Sequence, residues 1–153
     1  MKWMPFSAYG MKACEQACRS PHYTIHHNRR QKIQVRVKGD LNLKHVNIDT
    51  CREYITEATN ERKADHILVS NSDYYILECK SANLGSRNDL VEQFTHTTKR
   101  IKEANSSSTI RSCYCYHSGI PYLATSRPKI ISDIHNILKT NMEFKKYSEE
   151  LIL

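Results

Sequence analysis

The residues best suited to do chemistry stand in two short apolar runs, Lys63-Ala64-Asp65-His66-Ile67-Leu68-Val69 and Tyr74-Tyr75-Ile76-Leu77-Glu78-Cys79-Lys80. A polar turn separates them. Read as strands, they place Asp65 at the opening of the first and Glu78 and Lys80 at the close of the second. Side chains two apart on a strand project from the same face, so Glu78 and Lys80 share one. A carboxylate beside an ammonium at the end of so apolar a strand costs solvation unless the pair does chemistry or binds something. Two carboxylates hold a hard divalent cation through oxygen, and a neighbouring lysine orients or deprotonates a metal-bound water. That is the minimum equipment for metal-assisted phosphodiester hydrolysis.

The hairpin carries a parity condition. Asp65 shares a face with Glu78 and Lys80 only if it pairs directly opposite one of them. Opposite Glu78, residues 70 and 73 pair around a two-residue Asn71-Ser72 turn. Opposite Lys80, residues 71 and 74 pair around Ser72-Asp73. A three-residue loop pairing 70 with 74 would send Asp65 to the other face unless a bulge intervened. The Asn, Ser and Asp of this turn permit both even loops.

The flanking elements follow from periodicity and punctuation. Ser7 to Arg19 reads as a helix stopped by Ser20-Pro21. Lys32 to Lys38 alternates strictly and ends at Gly39-Asp40, the pattern of a half-buried strand. Asp49-Thr50 can cap a short helix through Tyr54 and Ala58. Asn88-Asp89 caps a helix reaching Ala104, with Leu90, Phe94, Thr97, Ile101 and Ala104 as its packing stripe and Gln93, His96 and Arg100 in a row beside it. Thr109 to Tyr116 is a strand and Pro121 to Thr125 a shorter one. Ser126-Arg127-Pro128 opens a helix, and a last helical piece holds Phe144, Tyr147 and Leu151.

Asp65, the Glu78-Cys79-Lys80 element, the hairpin between them and the glutamine-bearing helix that follows resemble the PD-(D/E)xK nuclease superfamily, which includes restriction endonucleases and archaeal Holliday-junction resolvases. Ala64-Asp65 stands where the family name has Pro-Asp. The resemblance covers roughly residues 60 to 105. It implies an α/β, restriction-endonuclease-like fold with a mixed central sheet flanked by helices, and metal-dependent cleavage of DNA. Asp65 and Glu78 would ligate Mg²⁺, with Mn²⁺ as a substitute and the Cys79 carbonyl as a third oxygen. Lys80 would act on the water or the scissile phosphate, and Gln93 would assist. A further glutamate would come from an upstream helix, with Glu15, Glu57 and Glu61 all open. Small nucleases of this kind often form homodimers.

Composition bounds the alternatives. The 153 residues suffice for one domain with a real core, and 25% charged against 39% hydrophobic is a globular balance. No run approaches a membrane span, and the start lacks a secretory core, so a cytoplasmic protein is expected. The formal net charge of +7 favours a polyanionic partner, nucleic acid first. Arg29, Arg30, Lys32, Arg36 and Lys38 form a basic row able to track a phosphate backbone, with Arg100 as a further donor. A non-catalytic DNA-binding module would keep the same features. Six cysteines in a chain of this class read as reduced, buried thiols. Cys14, Cys18, His22 and His26, spaced by four, offer a structural zinc alternative that Pro21 disfavours.

Overall fold

The computed structural model describes residues 14, 16–29, 31–39, 42–51, 64–70, 73–79, 87–104, 109–116, 123–138 and 142–153. Two sheets form. The larger has six strands in the order β1 (Gln16–Ala17), β4 (Lys44–Asn47), β5 (His66–Ser70), β6 (Asp73–Cys79), β7 (Thr109–Tyr116) and β8 (Met142–Lys146). The smaller is β2 (His22–His26), β3 (Lys32–Arg36) and β9 (Glu150–Ile152). In the larger sheet β1, β4, β5 and β6 pair antiparallel, while β6–β7 and β7–β8 are parallel. Parallel neighbours need crossovers, which α1 (Arg87–Ala104) and α2 (Leu123–Leu138) supply.

Strand alternation sorts the core into two layers. Ile67, Val69, Tyr74 and Ile76 face a cluster containing Leu90, Phe94 and Ile101 of α1 and Ile134 of α2. Leu68, Tyr75, Leu77 and Cys79 face the other way, against Ile25, Ile33, Val35 and Leu151 of the small sheet. The architecture is thus mixed α/β. The expectation of a sheet flanked by helices needs correction, because among the described residues both α-helices cover one face and a three-stranded sheet covers the other. The physical reason lies in β3, whose inward Ile33 and Val35 need an apolar partner that β2 and β9 alone cannot supply.

Several local expectations also change. Gln16–Ala17 is extended, pairing Gln16 with His45 and Ala17 with Lys44, so the helix expected over Ser7–Arg19 does not run through its described end. The Cys18 amide continues this edge by donating to the Leu43 carbonyl at 2.9 Å. Ile48–Thr50 is a single 3₁₀ turn, and the helix expected through Tyr54 and Ala58 lies outside the described residues. The helix expected from Ser126 begins at Leu123, where a strand through Thr125 was anticipated, and Pro128 sits in its second turn. Phe144 belongs to β8, Tyr147 to the following turn and Leu151 to β9, replacing the final helical piece.

The expectation of six reduced thiols is corrected by a disulfide between Cys14 and Cys51, with Cα atoms 5.6 Å apart. Cys18, Cys79, Cys113 and Cys115 are free and buried. The bridge closes a loop with a sequence separation of 37 and ties the segment before β1 to the one after β4. Restricting the unfolded chain by a loop of that size stabilises by about 2–4 kcal/mol. Cys51→Ser should therefore lower the urea-unfolding free energy by that amount, and an unchanged midpoint would show that the bridge contributes nothing.

Candidate functional site

The hairpin register decides where the two acids stand. Ser70 pairs with Asp73, Val69 with Tyr74, and so on to His66 with Leu77. That ladder ends at His66, and Asp65 stands just outside it, its carboxylate close enough to act on His66 and Tyr147 on the small-sheet side. The Asp65 amide donates to the Leu77 carbonyl at 3.1 Å. Its Oδ2 accepts from the Cys79 amide at 2.8 Å, which fixes the carboxylate at the carboxyl end of β6. Glu78 is 1% exposed and follows Ile76 and Tyr74 on the helix-covered face. Lys80, the next candidate along, lies outside the described residues, as do Glu15, Glu57, Glu61 and Arg30.

Helix α1 is stitched to this strand end. Thr97 Oγ1 accepts from the Ala64 amide at 3.0 Å and donates to the Gln93 carbonyl at 2.8 Å. The expected stripe is buried at Leu90, Phe94, Thr97 and Ile101. Gln93, one turn before Thr97, carries a buried Oε1 with no hydrogen-bond partner among the described residues. Arg100 is half-buried two turns beyond Gln93, in the same row of the helix.

The basic row lies on the outer face of the small sheet. Lys32 and Lys38 are exposed, as is Arg29 in the β2–β3 turn. Arg36 is engaged, with Nε 3.1 Å from Glu150 Oε1, close enough for an ion pair but not aligned as a hydrogen bond. The β2–β3 turn packs near β5 and β6 through His27, whose Nδ1 is 2.9 Å from His66 Nε2. Arg29 and Lys32 therefore sit at the carboxylate end of the molecule, and Lys38 at the opposite end.

Beneath that turn runs a chain of rings that the sequence reading missed. The Tyr23 hydroxyl is 3.0 Å from His45 Nδ1, His45 Nε2 is 3.0 Å from His66 Nδ1, and His66 Nε2 reaches His27. His45 and His66 are 6% and 0% exposed. Burial holds both neutral, lowering His45 to about 4 and His66 to about 3, the latter with help from His45 and against the pull of Asp65. Parity could have flagged His66: it alternates with Leu68, so it points inward on the face covered by the small sheet.

One group of three or more clustered ligand atoms occurs among the described residues: His27, His66 and Cys79, all within 4.8 Å of one another. Nitrogen and sulfur suit transition metals and not Mg²⁺. The spaced set expected as a zinc alternative does not assemble. Cys14 is spent in its disulfide, Cys18 is buried, and His22 and His26 are exposed strand residues. A cavity of about 320 Å³ lies at the other end of the hairpin, lined in part by Ser70, Asp73, Tyr75 and Arg111. Its arginine stacks 4.8 Å from the Tyr75 ring and pairs with Glu143 at 2.6 Å. No described helix is long and apolar enough to cross a membrane. No protein-family model, curated protein or solved structure matches this chain.

Proposed function

We propose that this chain is a metal-dependent nuclease of the PD-(D/E)xK kind, hydrolysing phosphodiester bonds, most of all in DNA. The observation that carries the reading is the bond from the Cys79 amide to Asp65 Oδ2, which holds that carboxylate at the carboxyl end of β6, one residue along from Glu78. There the sheet changes from antiparallel to parallel pairing. Ligands of open α/β sheets gather outside the carboxyl ends of strands near such changes. The order of three antiparallel strands, a helix and a parallel strand also agrees with the core the resemblance implies.

Asp65 and Glu78 fit a hard cation that keeps most of its waters, because Mg²⁺ takes few protein ligands. The Cys79 carbonyl is a third oxygen within the same element. Such a cation, when bound, supplies an activated water and offsets charge on the phosphate. Lys80 orients that water, and Gln93 offers an uncommitted buried oxygen as a hydrogen-bond acceptor for it. Arg29 and Lys32 give the backbone a positive approach at the same end.

Purified protein should cleave plasmid or linear DNA with Mg²⁺ or Mn²⁺ and lose the activity in EDTA. DNA binding should weaken steeply with salt, as expected when basic groups displace phosphate counterions. Folded Lys80→Ala should bind DNA near the parent affinity and cleave at least about 100-fold more slowly. Salt-sensitive binding without cleavage under either metal would reduce the protein to a DNA-binding module. Absence of binding at low salt would remove nucleic acid as the partner.

A further inference from the structure

We propose that His27, His66 and Cys79 form a transition-metal site of the zinc type that pins the small sheet to the large one. The three ligands come from three elements: the turn after β2, the start of β5 and the end of β6. Their atoms lie within 4.8 Å of one another. Tetrahedral zinc, with bonds of about 2.0–2.1 Å to nitrogen and 2.3 Å to sulfur, holds such ligands about 3.3–3.6 Å apart. The His27–His66 nitrogens, at 2.9 Å, need open by only about 0.5 Å for the ion to replace the proton they share. His27 is half-buried in a hairpin turn, so that movement is local.

The surroundings are those of a built site. A ligating imidazole is commonly held through its other nitrogen. Here His66 Nδ1 meets His45 Nε2, and His45 Nδ1 meets the Tyr23 hydroxyl. Two proton arrangements satisfy this chain. If each group donates toward His27, His66 Nε2 carries a hydrogen and cannot bind metal. If each donates toward Tyr23, His66 Nε2 presents a lone pair, and the ion selects this arrangement. His27 then carries its proton on Nε2. The Cys79 thiol proton passes to solvent as the thiolate binds. Its sulfur is met by the Tyr147 hydroxyl and the Cys115 thiol. Three protein ligands leave a fourth position for water.

This site faces away from Glu78. Cys79 alternates with Glu78, so its side chain enters the sheet-covered layer while Glu78 enters the helix-covered one. The ligand chemistry separates them further, soft nitrogen and sulfur against hard oxygen.

Metal-free protein with its disulfide intact would be titrated with Co²⁺ and then Zn²⁺. One equivalent of cobalt should give thiolate charge-transfer absorption and the visible bands of a four-coordinate ion, both bleached by zinc and unaffected by excess Mg²⁺. Zinc should raise the melting temperature. Cys79→Ser should lose the charge-transfer band. His27→Ala, a change in a half-buried turn residue, should weaken cobalt binding at least about 10-fold with the fold intact. Glu78→Gln should leave the spectra unchanged. A charge-transfer band that survives Cys79→Ser, or cobalt affinity unaltered in folded His27→Ala, would overturn the proposal, as would the absence of any cobalt–thiolate band in the parent protein.

Discussion

Glu78→Gln should separate activity from stability. Glutamine matches glutamate in shape but carries no charge, and an amide is a poor ligand for a hard cation. If Asp65 and Glu78 hold the metal, the variant should cleave DNA at least about 1,000-fold more slowly, a loss of about 4 kcal/mol in transition-state stabilisation. The fold should not pay for this. Glu78 is 1% exposed and a buried carboxylate costs solvation, so replacing it with a neutral amide should leave the unfolding midpoint equal to the parent's or higher. Asp65→Asn should behave differently. Its Oδ2 accepts from the Cys79 amide, a charge-assisted bond that an amide oxygen makes more weakly, so about 1 kcal/mol of stability should go with the activity. Metal-dependent cleavage by folded Glu78→Gln at the parent rate would sink the nuclease reading. A collapse of Glu78→Gln on urea titration would instead make that carboxylate a structural group.

What the sequence made legible divides along physical lines. The register of the β5–β6 hairpin was readable because parity and turn chemistry are local: Ser70 paired to Asp73 was one of two closures the residues allowed. The stripe on α1 was readable because Leu90, Phe94, Thr97 and Ile101 repeat at helical spacing and meet one apolar face. The short strands were not. In β2 only Ile25 is fully buried, and β4 is four residues long, too little to show a period of two. Phe144, Tyr147 and Leu151 mimic helical spacing by accident, because a turn at 147–149 lies between β8 and β9. Strand β3 showed its alternation, but the assembly of the small sheet had no local signal, since β9 comes from the far end of the chain and pairs with β3 in parallel. The ring chain was hidden for the same reason. His27, His45 and His66 are far apart in sequence and meet only once the small sheet lies across β4, β5 and β6.

That ring chain should make the metal-free protein sensitive to mild acid. His45 and His66 are buried neutral, at about 4 and about 3, against about 6.5 in an unfolded chain. Below pH 6.5 the unfolded state therefore binds protons that the folded state refuses. Stability is fully present above that value and is lost as pH falls, continuing until the folded groups titrate. Each histidine contributes a slope of up to about 1.4 kcal/mol per pH unit. Both together give on the order of 5 kcal/mol between pH 6.5 and 4.5, comparable with the whole stability of many domains. Urea unfolding in EDTA at a series of pH values should show this fall, and His45→Gln should roughly halve the slope while keeping a polar partner for His66 and Tyr23. Stability that stays level from pH 7 to 5 would mean that the rings take up protons within the fold. Carboxylate titration is a separate matter, because its effect on stability gathers at lower pH and would survive in the His45→Gln variant.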